Sequence, residues 1–297
     1  MKNAYVRKNF LLIVCVLAIA ASITFIGRLW ADSSESSGSK PAVSKLNAKV
    51  GGAYADFDSA STGYGTASVT LPLGHRFGLS VDGLGGSYDS DSLWGAGGSL
   101  FWRNPDKGLL GIIGSNVKVG SNNAYRGGAT GELYLGNFSI LSDVGYLNGE
   151  TINAGAFADL QLRWYALKNL AVSAGCAYAN NVTAGLVGME YMFDKVLPGV
   201  ALFVDGSWGG DGYHSVMGGA RYYFGGTGKT LKEKHREDDP PNNALQGLVL
   251  CSQGNCFAKE ESTPPSGDDI KGDDDIVTDD IADDDIADDI ITDIAPN

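Results

Sequence analysis

Charge is scarce in most of this sequence, and where it occurs it does not form a basic surface. Of the 297 residues, 19% are charged, with 22 Lys and Arg against 35 Asp and Glu. Residues 268–297 hold thirteen Asp against the single Lys271, which accounts for nearly all of the formal net charge of −13. Residues 45–224 are almost neutral, with 11 basic and 14 acidic residues. Without a basic face, nucleic acid is excluded as a partner.

Long apolar runs are also missing, except for one at the N-terminus. Phe10–Ile26 follows Lys2, Arg7 and Lys8, and its 17 residues fall short of the roughly 20 that a transmembrane helix needs. This order predicts a secretory signal peptide over residues 1–31, cleaved near Ala31, and a periplasmic linker over 32–44. An uncleaved inner-membrane anchor is the alternative, and the exact cleavage site stays open.

Cysteine and histidine are too few for a metal centre or an obvious catalytic group. Cys251 and Cys256 form the motif CSQGNC, which lacks the partners of a zinc site. In an oxidising periplasm we expect these two cysteines to form a small disulfide loop, with two unpaired thiols as the alternative. No metal or cofactor is predicted.

The three histidines do not predict an enzyme. His214 is followed by Ser215, but adjacent residues of a strand point to opposite faces, so this pair cannot form the Ser–His hydrogen bond of a hydrolase. His75 lies in a predicted turn and His235 lies beyond the last predicted strand. No catalytic residue is therefore predicted.

What the sequence does contain is a hairpin signal about every 30 residues. Five segments with an apolar, often aromatic, strand end, a short turn and a new apolar run begin at residues 71, 100, 133, 162 and 191. A sixth, RYYF, begins at residue 221 and has no returning strand. This spacing predicts six hairpins, and hence an all-β fold of about twelve strands over residues 45–224.

Within these strands apolar residues alternate with polar or small ones. Ala67, Val69 and Leu71 alternate with Ser68 and Thr70. Three features direct the apolar face outward to lipid. The strands are long enough to span a bilayer, only about 14% of residues 45–224 are charged, and aromatics gather at strand ends such as 101–102, 164–165, 191–193 and 222–224.

Backbone groups at an open sheet edge cannot be satisfied in hydrocarbon, so the strands must close into an antiparallel transmembrane β-barrel. An even number of strands puts both termini at one side, which we expect to be the periplasm. The turns near residues 74, 104, 136, 167 and 196 then share that side. The connections near 58–62, 89–92, 121–123, 147–151, 180–181 and 209–212 become short outer loops.

The signal peptide, the glycine-rich alternating strands, the aromatic strand ends and the terminal RYYF, with Tyr222 and Phe224, resemble the small porin-like outer-membrane β-barrel proteins of Gram-negative bacteria. The resemblance covers residues 45–224. It implies an outer-membrane location, contact with the lipid bilayer, insertion by the barrel-insertion machinery, and a lumen for small solutes.

The polar face carries charged residues that we expect to point into the lumen. One interpretation is passive diffusion of small hydrophilic solutes through a constriction that favours cations. The alternative is a closed structural or tethering barrel, because twelve strands lie between barrels that pack shut and barrels that leave a channel. The lumen-facing candidates are Asp82, Glu132, Asp143, Asp159, Arg163, Glu190, Asp205 and Arg221.

Residues 225–297 are assigned to an acidic, low-complexity tail in the periplasm. Its Asp-rich composition cannot bury enough apolar area to fold alone, so disorder is expected. The spacing fails the EF-hand pattern. Weak binding of divalent cations, binding of a basic periplasmic partner, and a solubilising spacer all remain open for this tail.

Overall fold

The computed structural model describes residues 40–57, 60–150, 154–179, 182–209, 214–225, 228–240 and 245. The predicted signal peptide, the Cys251 and Cys256 pair and the aspartate-rich residues 268–297 lie outside this part of the chain, so these three features remain predictions. No helix within the described part has the length and apolar composition needed to cross a bilayer.

Twelve antiparallel strands close into a barrel in which each strand pairs with its neighbours in sequence. Closure is made by the first and last strands, whose register runs from Lys49 opposite Tyr223 to Phe57 opposite Ser215. The predicted all-β class, closed antiparallel barrel and count of twelve strands are confirmed. The strands are β1 Asn47–Phe57, β2 Ala60–Leu73, β3 Phe77–Tyr88, β4 Asp91–Asn104, β5 Gly108–Val119, β6 Asn122–Leu135, β7 Phe138–Gly149, β8 Gly155–Leu167, β9 Leu170–Ala179, β10 Val182–Met192, β11 Val200–Gly209 and β12 His214–Tyr223.

The barrel has two distinct ends. We call the end where β1 begins and β12 finishes the termini end, and the opposite end the far end. Turns at the termini end occupy residues 74–76, 105–107, 136–137, 168–169 and 193–199. At the far end, successive strands end and begin at residues 57 and 60, 88 and 91, 119 and 122, 149 and 155, 179 and 182, and 209 and 214. These positions agree with the hairpin spacing in the sequence.

The outer surface is apolar and carries two belts of aromatic side chains. Aliphatic residues between the belts are exposed, including Leu100, Ile112 and Val204. Such a band between aromatic girdles is typical of a lipid-facing barrel surface. The belt at the termini end contains Phe77, Phe138, Trp164, Tyr191, Tyr222 and Phe224, and the belt at the far end contains Tyr54, Trp94, Tyr125, Tyr146 and Trp208.

Three aromatics that the sequence analysis grouped at strand ends face inward instead. Phe101, Tyr165 and Tyr223 are almost fully buried. Tyr165 and Tyr223 lie on the strand face opposite to exposed aromatic neighbours, whereas Trp102, next to Phe101, is buried as well. Because successive side chains of a strand alternate, one member of each adjacent aromatic pair must point into the barrel. All three inward rings lie near the termini end of the barrel.

Candidate functional site: the lumen and its occupied mouth

The inner face of the barrel carries the charges that the outer face lacks. All eight sequence-predicted residues fall on the strand positions that alternate inward, and four of them, Asp82, Glu132, Asp143 and Glu190, are buried. Burial of charge inside a barrel is tolerable only where the charges are paired or hydrogen-bonded. The contacts of each residue therefore decide what the wall can do.

Arg126 holds two of the predicted carboxylates together. Its Nη2 lies 2.7 Å from Asp159 Oδ2 and 3.2 Å from Asp143 Oδ2, and its guanidinium lies 4.0 Å from the ring centroid of Phe157. These contacts link β6, β7 and β8 on the lumen side. The two acids are thus neutralised in part by one arginine, rather than forming a ring of unpaired carboxylates.

A second pair lies on β10 and β12. Arg221 Nη1 is 3.3 Å from Glu190 Oε2, and the Tyr223 hydroxyl donates to Glu190 Oε1 at 2.7 Å. The Arg221 guanidinium also lies 4.0 Å from the ring centroid of Phe203. Glu190 is therefore a satisfied, charge-paired carboxylate.

Three of the other four predicted wall residues have separate polar partners. Asp82 accepts a hydrogen bond from the Ser68 hydroxyl at 2.6 Å, and Glu132 accepts one from the Tyr134 hydroxyl at 2.9 Å. Arg163 donates to Gln161 at 2.9 Å. Asp205 lies opposite Gly188 in the β10–β11 pair. The structure therefore divides the eight residues among several clusters.

Sequence reasoning missed three cations on the same inner face, namely Lys49, Arg103 and Arg126. Each is buried. Strand alternation predicts the inward position of two of them, because residues an even number apart in one strand share a face. Arg126 is six residues before Glu132, and Lys49 precedes exposed Val50. With them, the inner wall between the strand ends carries six carboxylates and five cationic side chains: Asp82, Glu132, Asp143, Asp159, Glu190 and Asp205 against Lys49, Arg103, Arg126, Arg163 and Arg221.

The chain does not leave the barrel where the last strand finishes. Gly225 and Gly228 have φ of +73° and +97°, conformations that favour glycine. Beyond them, Thr230 caps a short helical turn α1, Leu231–Glu233, through a capping box, and a π-helical turn, Lys234–Asp238, follows. We call residues 229–239 the mouth segment. The sequence analysis had placed them in a tail outside the barrel.

The mouth segment touches the wall on nearly every side. Its hydrogen bonds and ion pairs reach β1, β2, β4, β7, β10 and β12, as well as the turns at the termini end. Only a segment inside the ring of strands can contact opposite walls in this way. Residues 229–239 therefore occupy the lumen at the termini end.

His235 is the centre of these contacts. Its Nδ1 lies 3.1 Å from the Tyr165 hydroxyl and its Nε2 lies 3.0 Å from the Tyr223 hydroxyl. Since the Tyr223 proton is donated to Glu190, a neutral imidazole protonated at Nε2 satisfies every partner. Burial lowers the pKa of His235 well below its usual value, although the neighbouring Glu190 opposes that shift.

Arg236 is the strongest polar anchor to the β6–β7 turn. Its guanidinium donates to the carbonyl of Phe138 at 2.6 Å, to the carbonyl of Gly136 at 3.0 Å and to the Ser139 hydroxyl at 3.0 Å. It also lies 4.7 Å from the ring centroid of Tyr134. These are charge-assisted bonds in a buried setting, which are the stronger kind.

Asp239 anchors the segment to the opposite side. Its carboxylate lies 2.5 Å from Lys49 Nζ and accepts from the Thr70 hydroxyl at 2.6 Å. Lys49 and Thr70 belong to β1 and β2, so Asp239 and Arg236 bridge different arcs of the wall. The segment is thus held across the mouth rather than along one strand.

Residues 40–46, of which 40–44 belong to the predicted periplasmic linker, join the same cluster. Ser44 donates its backbone N–H to the Glu237 carbonyl at 2.9 Å and its hydroxyl to Asp238 at 2.5 Å. Val43 is buried against inward-facing Phe101 and Leu109. Lys40 pairs with Glu237, and that hydrogen bond raises the pKa of Lys40. Both ends of the barrel domain therefore meet in the mouth.

Near the far end the lumen wall becomes apolar. Leu245 is fully buried in this region, six residues beyond the mouth segment. We call the wall residues that surround it the far-end collar: Leu84, Leu93, Val117, Ala124, Leu147, Phe157 and Ala179. The chain after β12 thus contacts the lumen at two levels, one polar and one apolar.

The structure keeps His214 and Ser215 apart. His214 is exposed on the outer face, whereas Ser215 is buried and its hydroxyl lies 2.6 Å from the Ser207 hydroxyl. Within the described ranges no cluster of three or more His, Cys, Asp or Glu side chains is arranged to hold a metal ion.

No protein-family model and no curated protein matches this sequence. Among solved structures, the KdgM porin in complex with disordered oligogalacturonate is similar at 15% identity and a TM-score of 0.49, covering 60% of this chain and 99% of that one. An outer membrane channel from Pseudomonas putida F1 is similar at 12% identity and 0.48, covering 65% and 100%. Outer membrane phospholipase A from Escherichia coli is similar at 13% and 0.42, covering 64% and 94%.

The likeness does not discriminate between activities, because the porin, the channel and the phospholipase differ in what they do. It concerns the barrel alone, and the contacts within the lumen belong to this chain. The protein is a closed twelve-stranded antiparallel β-barrel with an apolar, aromatic-belted outer face, and the segments that flank β1 and β12 occupy one mouth.

Proposed function

We propose that this protein is an outer-membrane channel for passive diffusion of small hydrophilic solutes, held closed at the termini end in the conformation described above. Its apolar outer face and paired aromatic belts support residence in a lipid bilayer. A bacterial barrel of this kind belongs in the outer membrane, with the termini in the periplasm.

The observation that carries the channel proposal is the charged inner wall. A barrel that served only as a packed structural unit would gain most from apolar filling, because burying ion pairs brings little net stability. Here eleven charged side chains line the inside of the strands. Such a wall is compatible with water once the mouth segment leaves, so a hydrated path can form.

The near balance of six carboxylates and five cations limits ion selectivity. Arg126 and Arg221 already neutralise acids that lie one or two strands away on the same inner wall. We expect only a weak preference for cations, smaller than an unpaired carboxylate ring would produce.

The second candidate is a permanently closed barrel that tethers the acidic tail to the membrane. The occupied mouth favours it. In that case the residues beyond 245 would carry the function by binding divalent cations or a basic periplasmic partner, and solute flux would be absent.

The test uses two forms of the full chain in planar bilayers: the native sequence and a detached variant, Arg236→Ala with Asp239→Ala and Leu245→Asp. Folding is verified by heat-dependent gel mobility, and location by membrane fractionation. Discrete conductance steps from either form support the channel. Silence from both folded forms refutes it and leaves the tethering barrel.

A further inference from the structure

We infer that the termini end of the lumen is a binding site for a peptide segment, occupied here by residues 229–239 of the same chain, and that this occupant is a removable plug. The part of the inference that concerns closure rests on the proposed channel function. The binding part does not depend on it.

The barrel is complete without the plug. Every strand has two neighbours, and the β1–β12 seam is formed by residues of those strands alone. The mouth segment adds no strand to the sheet, and only a few residues that include Gly225 and Gly228 join it to β12. Its departure therefore breaks contacts with wall side chains and with turns, but no hydrogen bonds between strands of the barrel.

The contacts that hold the plug are mostly polar, which makes them exchangeable with water. His235, Arg236 and Asp239 bind hydroxyls, backbone carbonyls and Lys49. When the plug leaves, each of these wall groups can be hydrated, because the opened lumen admits water. A plug packed through apolar side chains alone would lack this exchange.

Docking also leaves some wall groups incompletely satisfied. Arg103 donates to the His235 carbonyl at 3.3 Å, while its Nε and Nη2 have no hydrogen-bond partner among the described residues. A buried guanidinium with open donors costs free energy that hydration would recover. This favours a docked state of modest rather than extreme stability.

The contacts of the site define which chemical groups a bound segment must carry. It takes one neutral imidazole between two tyrosine hydroxyls, one guanidinium over the β6–β7 turn and one carboxylate at Lys49. Those three groups belong to KHREDD, residues 234–239, which form one π-helical turn with Asp239 at its C-terminal end. A peptide with this pattern is the ligand class, and the chain supplies it in cis.

Because the plug is tethered, its effective concentration at the mouth is about millimolar. A free peptide cannot compete with the native plug at lower concentrations. The detached variant removes that competition, since it lacks the Arg236 and Asp239 anchors and carries a charge where Leu245 enters the far-end collar.

The experiment compares four preparations of the full chain in planar bilayers. They are the native chain, the detached variant, the detached variant with a synthetic peptide of residues 228–245 on the termini side, and a matched control. The control makes the same kinds of substitution at exposed turn positions of the termini end, Arg76→Ala with Asp106→Ala and Val196→Asp. A scrambled peptide of equal composition is the peptide control.

We expect the detached variant to be open at least tenfold more of the time than the native chain, and the control to behave like the native chain. The peptide should restore closure from one side only, and the scrambled peptide should not. Binding of fluorescein-labelled peptide to the detached variant, measured by anisotropy, tests the site independently of conductance.

Equal conductance of the native and detached forms would overturn the plug while leaving the channel proposal standing. Absence of peptide binding to the folded detached variant would overturn the binding site. If both forms are silent, closure by the plug and the channel proposal fall together. Should the triple variant not fold, Arg236→Ala and Asp239→Ala are measured singly against Arg76→Ala and Asp106→Ala.

Discussion

Replacing Arg236 with alanine should release the mouth segment without disturbing the barrel. The guanidinium is buried and donates to two backbone carbonyls and to Ser139. A hydrogen bond to a charged group contributes about 1.5–3 kcal/mol, and such bonds are not additive. Because the released carbonyls of Gly136 and Phe138 can be hydrated, we take about 3 kcal/mol as the net loss of docking free energy.

A loss of about 3 kcal/mol shifts the ratio of undocked to docked plug on the order of 100-fold. The assay measures the accessibility of a wall position that the mouth segment covers. A fluorophore-maleimide reacts with a cysteine placed at Ala201, which is buried in one cluster with Leu231, in a background with the native cysteines replaced, and the reaction rate reports how often the segment leaves. Arg76→Ala, in an exposed turn, is the matched control. A labelling rate that Arg236→Ala changes by less than threefold, with the barrel still folded, would refute the reasoning.

Three further changes test other parts of the molecule. Lowering the pH through about 6.5 should weaken docking of the mouth segment by up to tenfold per pH unit, because docked His235 stays neutral while the undocked imidazole takes up a proton at its ordinary pKa. Docking is complete above that pH, and the pH dependence of flux should be lost in His235→Gln. An unchanged dependence would assign it to other groups near the ring, namely Glu190, Arg163, Lys49, Arg221, Tyr165 and Tyr223. Arg126→Ala should leave Asp143 and Asp159 unpaired and so raise the cation-to-anion permeability ratio of the detached variant, measured from reversal potentials. Lys118→Ala is the control, and an unaltered ratio in Arg126→Ala would show that this cluster lies off the ion path. Val204→Arg on the outer face should lower the free energy of unfolding in lipid by about 2–4 kcal/mol, measured as a lower urea midpoint. Val196→Arg in the exposed turn should not lower it, and equal midpoints for the two variants would contradict a lipid-facing Val204.

Turn residues and strict alternation made the barrel predictable from the sequence. The hairpin at LPLGHRF forms a turn at residues 74–76, and Val69 and Val81 face outward while Ser68 and Asp82 face inward. These outcomes depend on neighbours close in sequence, since a strand places alternate residues on alternate faces. The aromatic pairs were harder, because adjacency at a strand end does not say which ring meets lipid.

The inner-face position of the charged candidates followed from the same alternation, but their partners did not. Arg126 contacts Asp143 and Asp159 through the β6–β7–β8 register, which hairpin geometry could have suggested. The contacts of His235 could not be predicted. Tyr165 is 70 residues from it, Glu190 is 45 residues away, and only closure of the ring brings both to the same mouth.

The sequence by itself determined the strand count, the outward apolar face and the polarity of the lumen, because each depends on a period of two and on short turns. Only the tertiary structure decided what fills that lumen. KHREDD follows the last strand with a charged composition that is typical of a solvated tail, and no local pattern distinguishes a tail from a plug. Its groups become buried because the closed ring offers two tyrosine hydroxyls, the carbonyls of Gly136 and Phe138 and the Lys49 ammonium at matching positions.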